Sequence, residues 1–294
     1  MLIDIHAHTT ERTLWGLHTA TATISDLELY AAQFKIQKIL LMATYFPFKG
    51  GGQPNAKVLG KVEGNSSFGV CGSLDAMNHF KEGLAELREL VRQERIVGIK
   101  LYPGYQDFRL GEDKMNRVYE LAAENRLPIV IHTGHLHHCC PRQDRQARNF
   151  RCGQLECAIN KLQPLSMPSQ VIVPAQKFPE VNFVLAHMSK PYIEELLEVM
   201  ALCPNVYTDT SGLLVSGDNQ GRREDTPTNL SRLRTEIAQV LDLPGGVGRI
   251  MFGTDFPIQS YSDSIMLVDS LEIDETVKEK IRWQTARRVF NLQI

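Results

Sequence analysis

Short apolar runs alternate along the chain with longer segments whose apolar positions recur every three or four residues. The runs are Leu2–His6 (LIDIH), Lys38–Ala43 (KILLMA), Phe68–Leu74 (FGVCGSL), Ile96–Leu101 (IVGIKL), Pro128–His132 (PIVIH), Val181–His187 (VNFVLAH), Val206–Thr210 (VYTDT) and Arg249–Thr254 (RIMFGT). Their length and richness in Val, Ile and Leu predict strands buried on both faces. Helical spacing predicts helices over 78–93, where Phe80, Leu84, Leu87 and Val91 share one face, and over 113–125, 193–202, 230–241, 262–269 and 274–290. Ser25 followed by Glu28 reads as a capping box opening a further helix to about Phe34.

Eight strands alternating with helices are the pattern of a single (β/α)8 TIM-type barrel spanning residues 1–294. An open doubly wound sheet is the alternative. The barrel is favoured because polar residues recur at strand ends: His6, Lys100, His132, His187, Asp209 and Asp255. In a barrel those ends converge on one mouth. The spacing of strand ends is uneven. The interval after His132 holds an inserted loop at about 134–170, and the interval after Asp209 holds SGDNQGRREDTPT. With Phe46–Gln53, these are expected as long βα loops over the C-terminal mouth.

Composition narrows the function classes. Hydrophobic residues make up 43% and charged residues 22% of the 294, which suits a large core. Lys+Arg is 32 and Asp+Glu is 34, a net charge of −2, so no nucleic-acid or membrane partner is expected. The start of the chain lacks a basic segment followed by a long apolar run, and no stretch approaches the ~18 apolar residues of a membrane span. The six cysteines are then expected as cytoplasmic thiols.

His6 and His8 stand two apart at a strand end, where both imidazoles can leave on the same face and chelate one ion. Alone, this pair is as well explained by ordinary polar residues. His132, His187 and Asp255 change the weighing, because five such groups at one end of a barrel are hard to assign to packing. Imidazole and carboxylate suit one divalent metal, zinc first, with manganese, iron or cobalt as alternatives. His6, His8, His132 and Asp255 could hold it. His187 becomes the acid/base candidate beside a metal-activated water, and Asp255 could also relay a proton.

The motifs IDIHAH, GIKLYP, LPIVIHTG, FVLAHMS, VYTDTSG and IMFGTDFP, with the closing WQTARRVFNL, resemble the amidohydrolase superfamily. They are most similar to its amidohydrolase-related branch of metal-dependent hydrolases and decarboxylases. The resemblance runs from residue 2 to residue 292, with the motifs in family order. It implies a distorted barrel with one divalent metal, His6, His8, His132 and Asp255 as ligands, and His187 as the catalytic histidine. It gives Asp209 a structural role. Lys100 and Tyr102 of GIKLYP are candidate substrate-binding residues. In other branches the lysine at the Lys100 position is carboxylated and bridges two metals, with His132 and His187 on the second ion. TatD-type nucleases share the H-x-H start, but their fourth strand usually provides a glutamate where Lys100 stands.

The inserted loop departs from the family pattern. Between His135 and Cys157 it carries His135, His137, His138, Cys139, Cys140, Cys152 and Cys157, interleaved with Arg142, Arg145, Arg148 and Arg151. Cys139, Cys140, Cys152 and Cys157 are candidates for a second, structural zinc site. Free thiols on a solvated basic loop are the other reading. The expected function is hydrolysis of a lactone, ester or amide of a small molecule. Non-oxidative decarboxylation of a small carboxylic acid is the alternative, and a non-catalytic binding barrel a third. A homodimer or larger homo-oligomer is the expected assembly.

Overall fold

The computed structural model describes residues 1–45, 52–136, 161–216 and 227–293. Eight parallel strands form one sheet in sequence order: β1 (Leu2–Ala7), β2 (Ile36–Met42), β3 (Phe68–Gly72), β4 (Gly98–Leu101), β5 (Ile129–Ile131), β6 (Phe183–Leu185), β7 (Val206–Asp209) and β8 (Ile250–Met251). The seam between β8 and β1 is closed by backbone hydrogen bonds. The Ile5 N–H donates to the Phe252 carbonyl at 3.1 Å, the Asp255 N–H to that of His6 at 2.7 Å, and the His8 N–H to that of Phe256 at 2.8 Å. The sheet is therefore a (β/α)8 barrel, not an open sheet.

Alternation sorts the strand side chains into two layers. Ile39, Leu41, Ile99, Leu101, Ile129, Ile131, Phe183 and Leu185 face outward and pack with helix residues such as Leu27, Leu87, Val118, Leu196 and Ile237. Ile3, Ile5, Leu40, Met42, Cys71, Val130, Val184 and Met251 fill the interior. Ala286, Val289, Phe290 and Leu292, in and after the last helix (Thr285–Val289), join that inner cluster and seal the barrel floor. The polar strand ends are left at the opposite mouth.

β1 does not keep a strict alternation. Asp4 pairs with Ile39 and Ala7 with Leu41, so three steps along β1 match two along β2. This bulge separates Ile3 and Ile5, in the inner cluster, from Ala7, in the outer one. It re-aims the end of the strand, as bulges beside active sites do, and turns His6 inward after two inward isoleucines. Asp4 pins the bulge to the end of β8. Its carboxylate accepts from the His6 N–H at 3.0 Å, the Thr254 N–H at 3.1 Å and the Thr254 hydroxyl at 2.6 Å.

Several local expectations are revised. The capping box of the first helix (Ile24–Phe34) is Thr23 with Asp26, not Ser25 with Glu28. Thr23 has the extended backbone a cap needs, and Ser25 already lies inside the helix. A helix at Asn55–Lys61 was not legible as a periodic segment. The expected helix over 274–290 is interrupted by a π-wound turn at Lys280–Gln284. There the Ile281 carbonyl accepts from the Phe252 N–H at 2.8 Å, tying the turn to the barrel. Among the described residues no helix is long and apolar enough to cross a membrane.

Burial pushes the Asp4 carboxyl up to about 7, against hydrogen bonds that lower it. A raised folded-state pKa means the unfolded chain loses this proton first. The associated stability is full below about pH 4 and is lost as pH rises through about 7. We expect Asp4 to add a downward slope to the melting temperature of metal-free protein between pH 5 and pH 8, opposite to the upward slope that His6, neutral in the fold, adds below about pH 6.5. In Asp4→Asn, which cannot ionise, that slope flattens; an unchanged slope in thermal melts would reject this role for Asp4.

Candidate metal centre

The site is organised around Asp209, the last residue of β7, whose side chain is fully buried. Its Oδ2 accepts from His6 Nδ1 at 3.1 Å. Its Oδ1 accepts from the His187 backbone N–H at 2.8 Å and from the Ser211 N–H and hydroxyl at 3.0 and 2.5 Å. Burial raises the carboxyl pKa, but these hydrogen bonds and the neighbouring histidines more than reverse it and hold Asp209 ionised. A carboxylate cannot donate, so His6 carries its hydrogen on Nδ1 and a lone pair on Nε2. Burial, followed by the Lys100 charge, lowers the His6 pKa to about 3. The ring is therefore neutral, the form in which imidazole ligates a metal.

His6 Nε2 faces a small polar cluster. It is 3.8 Å from Asp255 Oδ1 and 3.4 Å from Lys100 Nζ. His8 Nε2 lies 3.2 Å from the same Asp255 oxygen. One donor atom each from His6, His8 and Asp255 lie within 4.8 Å of one another, as do those of His6, His187 and Asp209. Burial alone would raise the Asp255 carboxyl, but the His8 hydrogen bond and three nearby imidazoles bring it well below the usual range.

Unusual backbone geometry positions two of these groups. His187, Met188 and Ser189 all have positive φ, at 64°, 47° and 52°, and Asp255 has φ 55°. Non-glycine residues in this region are strained and persist only where surrounding contacts impose them. For His187 the constraint is the bond from its N–H to Asp209. The Thr133 hydroxyl, 3.1 Å from the Ala186 carbonyl and 2.9 Å from Ser189 Oγ, ties the same turn to the end of β5. His187 therefore stands in a turn beyond β6, not on the strand as its motif suggests.

His132, the residue after β5, is buried with its Nδ1 3.2 Å from His187 Nε2. Tyr105 packs edge-on against its ring, the centroids 4.7 Å apart. Lys100 is fully buried in β4, its Nζ 5.1 Å from the Tyr102 ring centroid. Burial lowers its pKa to about 8, with Asp209 and Asp255 pulling the other way. The Tyr102 hydroxyl donates to the Ala43 carbonyl at 3.0 Å.

The fold thus gathers His6, His8, Lys100, His132, His187 and Asp255 at one mouth. Asp209, expected as a structural residue, is the acceptor that orients His6 and His187. Cys139, Cys140, Cys152 and Cys157 lie outside the described residues. Four residues here were not singled out from sequence: Asp4, Tyr105, Ser211 and Gly212. Ser211 and Gly212 sit inside the VYTDTSG motif. Gly212 has φ 62°, and a Cβ there would stand 3.0 Å from Asp255 Oδ2 and 3.1 Å from His187 Nδ1. A side chain at that point would be both strained and crowded against the two groups.

Comparison with solved structures places the barrel among known relatives. The chain is similar to an amidohydrolase from Burkholderia multivorans, with TM-score 0.69, 17% identity and both chains fully covered. It is similar to a probable 2-pyrone-4,6-dicarboxylic acid hydrolase from Acinetobacter baumannii, with TM-score 0.66, 14% identity and 99% of each chain covered. It is also similar to a dihydroxybenzoic acid decarboxylase from a Polaromonas species, which holds manganese and 2-nitroresorcinol. That match has TM-score 0.68 and 14% identity, covering 99% of this chain and 97% of the other. No curated protein matches. The family described as Amidohydrolase matches residues 63–292, a span that includes His132, His187, Asp209 and Asp255. His6 and His8 precede the matched span, and the barrel seam brings them to Asp255. On the strength of that match, the chain belongs to the amidohydrolase family.

Proposed function

We propose that this protein is a metal-dependent hydrolase of a small-molecule lactone, ester or amide. The observation that carries the reading is the convergence of His6, His8 and Asp255 on one point, with Asp209 on Nδ1 turning the His6 Nε2 lone pair toward that point. Two imidazoles and a carboxylate fit a divalent ion such as zinc, with manganese, iron or cobalt also compatible. Oriented by a buried carboxylate, His6 has the support that metal-ligating histidines usually have. His132 is the further ligand candidate. A bound ion of this kind polarises a carbonyl and makes water a nucleophile at neutral pH.

The chain's own residues account for the remaining work. Burial keeps His187 below its ordinary pKa, so the ring can accept a proton at neutral pH and return it. Asp255, held ionised by the neighbouring imidazoles, is the candidate to accept a hydrogen bond from water and relay its proton. Lys100, beside His6, and Tyr102 are the candidates for substrate binding. Decarboxylation of a small carboxylic acid is the second reading, supported by the likeness to the manganese-bearing decarboxylase. A single barrel domain with the 134–170 insertion, cytoplasmic residence and a homodimer or larger assembly complete the proposal.

We expect purified protein to carry one divalent ion per chain by elemental analysis, and His6→Ala to lose it. If Cys139, Cys140, Cys152 and Cys157 hold a structural zinc, the count is two, and Cys139→Ser with Cys140→Ser removes one while sparing activity. A metal-free, inactive chain that neither zinc nor manganese restores would sink the enzyme reading. A screen of lactones against carboxylic acids, with product analysis, separates hydrolysis from carbon dioxide release.

His187→Asn is expected to keep the metal and lower turnover by about 10²–10⁴-fold, the usual contribution of a positioned acid/base group. Unchanged turnover would remove His187 from that role. In Gly212→Ala the new methyl meets Asp255 and His187 at the distances given above. We expect a folded protein by circular dichroism with impaired metal binding; full occupancy at wild-type affinity would show that the site does not need glycine there.

A further inference from the structure

Three loops of the mouth meet at one side chain that the metal centre does not use. Gln106 lies in the turn after β4 and is 1% exposed. Its Nε2 donates to the Tyr45 carbonyl at 2.9 Å, in the loop after β2, and to the Leu74 carbonyl at 3.1 Å, in the loop after β3. Its Oε1 accepts from the Ala76 N–H at 2.6 Å. These partners fix which way the amide points, because a carbonyl can only accept and a backbone N–H can only donate. Both amide hydrogens and the amide oxygen are used, as burial of an amide requires.

The Gln106 backbone carries the same hold into its own turn. Its N–H donates to the Tyr102 carbonyl at 2.9 Å, and its carbonyl accepts from the Gly104 and Phe108 N–H groups, each at 3.0 Å. Tyr105, in that turn, packs on the His132 ring. Other ties join the loops in pairs: the Tyr102 hydroxyl to the Ala43 carbonyl, and the Asn55 amide to the Ser73 backbone at 2.8 and 2.9 Å. Gln106 reaches all three loops, and its hydrogen-bond partners include none of the metal-ligand candidates.

We propose that Gln106 is a positioning residue that locks the loops after β2, β3 and β4 into one rigid half of the mouth, fixing Tyr102 and Tyr105. Its bearing on turnover rests on the substrate-binding role proposed above for Tyr102, but the lock itself does not. Two substitutions separate hydrogen bonding from packing. Gln106→Met keeps the volume and leaves two buried carbonyls and one buried N–H without this partner. Gln106→Glu keeps the shape and the acceptor for Ala76, but offers at most one hydrogen to the two carbonyls.

The test is backbone hydrogen exchange on full-length protein without added metal, read by mass spectrometry with fragmentation to single residues. Each variant is first checked as folded by circular dichroism. In Gln106→Met we expect exchange in 43–45, 74–77 and 102–108 to rise together by about 5–150-fold, the shift in local opening from stranding buried hydrogen-bond partners. His8 and Asp255, whose N–H groups close the barrel seam, keep wild-type protection. In Gln106→Glu, 43–45 and 102–108 loosen while Ala76 stays protected; if Gln106→Met does not fold, this variant decides. The proposal is overturned if Gln106→Met changes Ala76 only, if exchange rises evenly through the chain, or if Gln106→Glu matches the wild type. Hydrolysis of 4-nitrophenyl acetate with Zn2+ or Mn2+ added reads the consequence. Gln106→Met is expected to raise KM with kcat preserved, and a lowered kcat at unchanged KM would overturn the assignment to the substrate side. A wild type that shows the lock but turns over no ester with either ion counts against the hydrolase reading and leaves the lock standing.

Discussion

A buried carboxylate with no counter-ion in direct contact is costly unless donors replace the water it has lost. Asp209 meets that requirement with four donors drawn from three places in the chain: the His6 ring, the His187 backbone and both polar groups of Ser211. The site's order follows from satisfying this one group. His6 is turned so that Nε2 faces Asp255. The His187 backbone is drawn into a left-handed turn, and the Ser211 hydroxyl is committed to one acceptor. Removing the carboxylate would release three constraints together, which is why its effect should not add simply with those of its neighbours.

The seam of the barrel is the second constraint. β8 is short, and its closure on β1 depends on hydrogen bonds from residues beyond the strand, on the Asp4 contacts with Thr254, and on the β1 bulge. The same seam carries His6, His8 and Asp255. Closing the barrel and assembling the metal-ligand candidates are therefore one event. The positive φ values at 187–189 and 255 are held by that closed framework, so strain is concentrated where function is proposed and supported by the core around it.

A (β/α)8 barrel supports many chemistries because loop residues, not the core, define the reacting groups. The solved structures that share the fold include one named as a probable hydrolase and one named as a decarboxylase, so the fold alone does not choose between the two proposed reactions. In this chain Tyr102, Tyr105 and Leu136 form a small buried cluster of their own at the His132 side of the mouth, separate from the main core.

The alternation of apolar strands and periodic helices determined the barrel, because burial on both sheet faces leaves a distinct pattern at every strand. The recurrence of His6, His8, His132, His187 and Asp255 at strand ends marked the site, since packing alone would have placed aliphatic residues there. Asp209 could be seen as polar but not as the hub, because His6 and His187 are distant in sequence and the turn that aims both Ser211 groups at it is not revealed by sequence. The bulge in β1 was equally invisible. It appears as one extra residue only when Asp4 and Ala7 are set against Ile39 and Leu41. Thr23 displaced Ser25 as a cap because the chain's extended entry, not the residue type, selects the capping position. Sequence determined which chemical groups reach the mouth. The tertiary structure decided which nitrogen of His6 faces the centre, because that choice belongs to Asp209 on another strand.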